Sequence, residues 1–258
     1  MMITNHLQQI WSQTVTLTEA NLKARYRKTL AGFLWVVLSP LISYSVQCYV
    51  FRTVLRMQVQ KYPVFLLSGL LPWIFISQSI DMCTSIFVQS GGILKSYPVN
   101  PLVYLVAQLL DNAFNFFAAF FLILAFVLAA SPFDWSRLAL LPIAMLPLFL
   151  ATFGMTWLFA TFHVFFRDTK FILSLVISTA FFITPVFYPV EYVPAQYRWI
   201  VDWNPLNYLI VPFRAAVLES PGSSFPLAIL QAGLVAAGFT ALAAFYWHRK
   251  RNLVYLYI

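Results

Sequence analysis

The sequence predicts an all-α polytopic membrane protein, and three observations carry that prediction. The composition is 61% hydrophobic and only 9% charged, with a mean hydropathy of +0.79, far from the usage of a soluble domain. Residues 29–51 carry no charge, and 23 residues of helix reach about 34 Å, enough for a hydrocarbon core of roughly 30 Å. Further apolar runs of this kind follow, so that six spans use most of the 258 residues and leave a single membrane domain over 1–258.

The first 28 residues form a polar segment placed on the cytoplasmic surface. Leu7, Ile10, Trp11 and Val15 recur at helical spacing, and a second short helix is expected from Thr18 into Lys23, Arg25, Arg27 and Lys28. The segment lacks the apolar centre and small-residue cleavage site of a removable signal. Two roles are open for the four cations, anchoring to anionic lipid and reception of a phosphate-bearing lipid.

The six spans are expected at 29–51, 62–80, about 102–130, 138–165, 171–188 and 226–247. In the first, Trp35, Ser39, Ser43 and Gln47 recur every four residues as a polar lane, and Ser174, Ser178 and Phe181 offer a matching set in the fifth. Packing between helices through small polar residues is the alternative use of such a lane. Asp111, with Asn112 and Asn115, is the most polar point in the third apolar stretch; a surface position is the cheaper of its two placements. Residues 189–225 mix prolines, aromatics and charges and read as short re-entrant helices on the outer side, with a break between Asn204 and Pro205.

Orientation follows from Lys and Arg near the span ends. With the N-terminus inside, Lys23, Arg25, Arg27, Lys28, Lys95, Arg167, Lys170, Arg249, Lys250 and Arg251 make ten on the inner side; Arg52, Arg56, Lys61, Arg137, Arg198 and Arg214 make six outside. Both termini are therefore expected in the cytoplasm. The net charge of +8 is accounted for by topology and calls for no nucleic acid.

Catalytic chemistry has little support. Asp81, Asp111 and Asp168 are isolated, His6, His163 and His248 are scattered, and Cys48 and Cys83 stand singly. The stretch SGGILKS (90–96) is not a nucleotide loop, because that motif requires glycine where Gln89 and Leu94 stand.

Four blocks carry a resemblance: ARYRKTLAGFLWVVLSP (24–40), YPVFLLSGLLPWIFISQSI (62–80), FFRDTKFILSLVISTAFFITPVFY (165–188) and WNPLNYLIVPFR (203–214). In this order they resemble the membrane subunit of bacterial ABC-2-type polysaccharide exporters, and within that family most of all the O-antigen exporter permease, with capsule and teichoic acid permeases as near relatives. The resemblance implies two copies of this chain in the bacterial inner membrane, working with two copies of a separate ATPase that supplies ATP and Mg. Their cargo would be an undecaprenyl-diphosphate-linked polysaccharide moved from cytoplasm to periplasm.

Site roles follow the resemblance. Lys23, Arg25, Arg27 and Lys28 would guide the diphosphate at the entrance. Trp35, Ser39, Ser43, Gln47, Ser174, Ser178 and Phe181 would line the channel. Ser90, Gly91, Lys95, Tyr97, Phe166, Arg167 and Asp168 would dock the ATPase, and Tyr192, Tyr197, Trp199, Trp203, Asn204 and Pro205 would form the periplasmic gate. The chain itself would bind no cofactor or metal. A membrane glycan-modifying enzyme, a secondary transporter and an ABC-2 exporter of another cargo are the competing expectations, the first two weakened by the lack of clustered acids, histidines and internal repeats.

Overall fold

A computed structural model of the chain describes residues 2–26, 34–97, 99–129, 139–218 and 225–258, and among them it is helical with no strand. Among the described residues, five stretches are long and apolar enough to cross a membrane. They are α2 (Leu34–Tyr49) with its π-helical continuation Val50–Val54, α3 (Tyr62–Thr84), α6 (Pro101–Ala129), α7 (Leu141–Phe165) and α11 (Phe225–Tyr257). Helix α8 (Thr169–Ile183) is apolar but only 15 residues long, about 22 Å.

Helix α8 stops short of the expected end at residue 188 because of Pro185. A proline disfavours the helical conformation in the residue before it, and Thr184 is extended at ψ 131°. The chain then makes two 3-10 turns, Val190–Tyr192 and Ala195–Tyr197, followed by α9 (Arg198–Asp202) and α10 (Pro205–Val217). The expected break at Asn204–Pro205 is present: the Asn204 side chain accepts from the Leu206 N–H at 3.0 Å and so caps α10. Helix α10 packs on α3, α7 and α11, burying Leu209, Ile210 and Phe213.

The N-terminal segment is one helix, α1 (Met2–Tyr26), where two short ones were expected. Thr14, Thr16 and Thr18 satisfy their hydroxyls on the carbonyls of Ile10, Ser12 and Thr14, and no proline or glycine interrupts the run. Helix α1 packs along α6, and the Thr18 hydroxyl also reaches the Ala107 carbonyl at 3.4 Å.

Two cores hold the helices. The larger surrounds α3, which packs on α6, α7 and α10 and whose Leu66, Leu67, Leu70 and Ile76 are fully buried. The smaller joins Phe87 of α4 (Ile86–Gln89) to Leu105 of α6, Ala160 and Val164 of α7 and Val254 of α11. That second core explains why α11 runs past residue 247: Val254 is fully buried and Ile258 packs beside it. Helices α7 and α11 approach closely at Gly154, where a methyl group would lie 2.6 Å from the Thr240 nitrogen.

Candidate translocation groove

Helices α2, α3, α6 and α8 enclose a groove of about 840 Å³. Trp35 and Ser39 come from α2, Ser174, Ser178 and Phe181 from α8, so the two polar lanes read from the sequence face one space. Ser43 and Gln47, further along α2, are not among the lining residues. Sequence reasoning missed α3 as a wall: Trp73, Ser77, Gln78 and Asp81 all line the groove. Asn112 and Asn115 of α6 and Lys170 at the start of α8 complete its polar surface.

The charged groups of the lining, Asp81 and Lys170, are one of each sign, and the remaining polar surface is hydroxyl and amide. Asn112 also donates to the Ser79 hydroxyl at 3.4 Å, tying α6 to α3 beside the groove. Asp111 is fully buried within the bundle and accepts from the Gln108 amide at 3.1 Å. It supports the α6 wall and does not line the groove.

Toward the C-terminal end of α8 the lining becomes aromatic. Trp73 and Phe181 of the lining lie 5.6 Å apart between centroids; behind them, outside the lining, Phe187 packs on Phe181 at 5.4 Å and Phe51 stacks on Phe187 at 4.6 Å with 25° between planes. The expected gate residues lie elsewhere: Tyr192, Tyr197, Trp199 and Trp203 are exposed, Trp203 at 84%, and none lines the groove. Asn204 reaches inward, donating to the Thr184 hydroxyl at 2.8 Å.

The walls differ in how the protein holds them. Helix α3 has 78% of its apolar window buried, whereas α2 has 11% and α8 has no buried residue. Two helices bearing hydroxyls and indole thus remain open on the single chain.

The expected docking residues gather at the second core. Ser90 ends α4, α5 (Gly91–Ser96) carries Lys95, and Tyr97 follows at 63% exposure. Phe166, 64% exposed, lies with Arg167 and Asp168 where α7 leaves the same core. Gly91 is packed against the end of α11, since a methyl group there would meet the Ile258 side chain at 2.5 Å.

Of the entrance cations, Arg27 and Lys28 lie outside the described residues, and Arg25 sits in the last turn of α1. Lys23 is exposed and pairs with Glu19 one turn earlier. The Lys23 hydrogen bond, aided by its charge, holds the Glu19 carboxyl below its ordinary pKa.

Arg214 overturns one sequence expectation. Counted there as a charge outside the membrane, it is buried at 9% exposure, with its guanidinium 4.1 Å from the centroid of the Phe65 ring. It donates to the carbonyls of Pro185 and Val186.

Apolar helices of membrane-crossing length around a groove with a polar wall are the marks of a multi-pass membrane protein. The comparisons place it further: the family described as ABC-2 type transporter matches residues 12–218, and this chain belongs to that family. Similar proteins include the "O-antigen export system permease protein RfbA" of Klebsiella pneumoniae, 29% identical over 211 residues and 81% of each chain. A protein of the same name from Myxococcus xanthus is 28% identical over 219 residues, 84% of each chain. The "Polysialic acid transport protein KpsM" of Escherichia coli is 23% identical over 215 residues, 82% of this chain and 83% of that one.

Proposed function

We propose that the chain is the channel-forming subunit of an ATP-driven exporter that carries a lipid-linked polysaccharide, of the O-antigen kind, out of the cytoplasm. The observation that carries this reading is the groove, whose walls combine indole, phenyl, hydroxyl and amide groups with one charge of each sign. Rings offer faces to the C–H surfaces of sugars, and hydroxyls and amides exchange hydrogen bonds with sugar hydroxyls at small net free energy. A polymer path needs both properties, because each unit must be admitted and released in turn. Relatives named for O-antigen export and polysialic acid transport support the polysaccharide class.

The cargo would be an undecaprenyl-diphosphate-linked glycan, and the cations from Lys23 to Lys28 would meet its diphosphate through charge-assisted hydrogen bonds. Both termini are placed in the cytoplasm of a bacterial inner membrane, with α8 as the sixth crossing. The open faces of α2 and α8 are closed by a second copy of the chain, so the working path is built by a homodimer. Two copies of an ABC ATPase dock on α5 and on Phe166 to Asp168, and ATP and Mg are bound there rather than by this chain.

The test is ATP hydrolysis by the chain with its ATPase in proteoliposomes. Hydrolysis rises on addition of the lipid-linked glycan, and the chain alone hydrolyses none. Hydrolysis indifferent to every lipid-linked glycan of the source cell, together with stimulation by a small lipid, would replace polysaccharide by that lipid as the cargo.

A further inference from the structure

The backbone from Thr184 to Phe187 is non-helical and sits among the helices, where each free carbonyl needs a partner from the protein. Two side chains, Arg214 and Tyr62, supply partners to three of these carbonyls, and a third, Asn204, holds the Thr184 side chain. Arg214 of α10 donates through one terminal nitrogen to the Pro185 carbonyl and, at 2.9 Å, to the Val186 carbonyl. Tyr62 at the start of α3 donates to the Phe187 carbonyl at 3.0 Å. Asn204, capping α10, donates to the Thr184 hydroxyl at 2.8 Å.

The fit around Arg214 is close. Its guanidinium lies on the Phe65 ring at 4.1 Å. Gly69 leaves the space, since a methyl group there would come within 2.6 Å of the Val186 carbonyl oxygen and 3.0 Å of the Arg214 nitrogen. A buried charge is a poor way to gain stability, because an apolar side chain of similar volume often serves as well. What the cation provides is a fixed position for two consecutive carbonyls, and the residue directly after them is Phe187.

Phe187 does not itself line the groove; it packs behind the aromatic end of the lining, against Phe181 at 5.4 Å and Phe182 at 6.3 Å, and on its other side against Phe51 at 4.6 Å. We propose that Arg214, with Tyr62, is the positioning residue of an aromatic closure at the α8 C-terminal end of the groove, holding Phe187 where it bridges α2 to α8. The inference rests on the reading of the groove as the export path. It places a seal inside the helix bundle, separate from the exposed rings of Trp199 and Trp203.

The test uses the full chain assembled with its ATPase and reads ion leak through the idle exporter, alongside the amount of folded complex. Phe187→Ala and Arg214→Met each raise the leak about tenfold, the order expected when charge-assisted hydrogen bonds holding one conformation are lost. The double variant leaks no more than either single one, because the arginine acts through the ring. Tyr62→Phe, which removes one hydrogen bond and no charge, leaks to a smaller extent and serves where Arg214→Met fails to accumulate. A tight Phe187→Ala, a folded Arg214→Met or Tyr62→Phe as tight as the unaltered chain, or leaks that multiply in the double variant overturn the proposal. Glycan-stimulated hydrolysis by the unaltered complex is measured beside it, so that loss of the transport reading and loss of this closure are separate outcomes.

Discussion

Gly154 and Gly238 face opposite fates on replacement by alanine, though both lie within membrane-length helices. At Gly154 the added carbon would lie 2.6 Å from the Thr240 nitrogen, 2.8 Å from the Phe239 carbonyl carbon and 2.9 Å from Thr240 Cα. All three are backbone atoms, so no side chain can swing aside. Ordinary contact begins near 3.5 Å, so α7 and α11 must part by roughly 0.9 Å, and a gap of that size forfeits a quarter to a half of each neighbouring dispersion well. The loss falls in the range of about 1–3 kcal/mol for overpacking. Around Gly238 and Gly233 nothing lies within 4 Å of the added carbon, and alanine there gains up to about 1 kcal/mol of helix propensity. Thermal unfolding of the purified chain in detergent reads the contrast: Gly154→Ala lowers the midpoint, while Gly233→Ala and Gly238→Ala leave or raise it. A Gly154→Ala midpoint equal to that of the parent would show that α7 and α11 are not locked at this crossing.

Three further outcomes are expected. Arg167→Glu, at the exposed end of α7, leaves the chain in the membrane but uncouples ATP hydrolysis from export; glycan display at the cell surface, with chain abundance controlled, checks it, and unchanged display places docking elsewhere. Single replacements of Arg25, Arg27 and Lys28 by glutamine lower glycan display unequally if one cation meets the diphosphate as proposed, whereas lipid anchoring alone gives equal losses of about 1 kcal/mol per charge in membrane binding of the segment. The Lys23 pair gives a pH signature: Glu19 is held below its ordinary pKa, so the pair is intact above the ordinary carboxylate range and lost only as pH falls through the lowered value. Carboxyl NMR of labelled chain shows no Glu19 titration between pH 8 and 6, and Lys23→Gln moves its titration upward toward the ordinary range; an unmoved titration refutes the pairing.

What the sequence made legible was what periodicity and proline chemistry express locally. The long apolar runs located α2, α3, α6, α7 and α11, and Pro205 located the start of α10. The lanes Trp35–Ser39 and Ser174–Ser178 pointed to one groove because polar residues on otherwise apolar helices need a shared non-lipid surface. Helix α3 hid its contribution, since it is apolar nearly all round and its wall residues Trp73, Ser77, Gln78 and Asp81 stand out only once α2 and α8 are in place. Arg214 was misread because a cation between proline-rich stretches looks like a loop charge, and its acceptors, the carbonyls freed at Pro185, are 29 and 28 residues away. The tail of α11 was cut at residue 247 because Val254 and Ile258 gain their packing from α4 and α5, which a span-length rule does not see.

The unequal burial of the walls bears on how the groove works. Helix α3 connects both functional ends: its first turn holds Tyr62 on the Phe187 carbonyl, and its last leads through Ser85 into α4 and α5. With Leu66, Leu67, Leu70 and Leu71 all buried, bending α3 in mid-membrane would open packing across the main core. If a partner docks on α4 and α5 as proposed, their displacement would be carried as movement of α3 as a unit, whose far end bears on the backbone that presents Phe187. Helices α2 and α8 are the less buried walls and would follow at lower cost, so any widening of the groove is expected to fall on them. Cysteines joining α3 to α7 within the main core leave export intact if α3 stays fixed, and stop it if α3 must move.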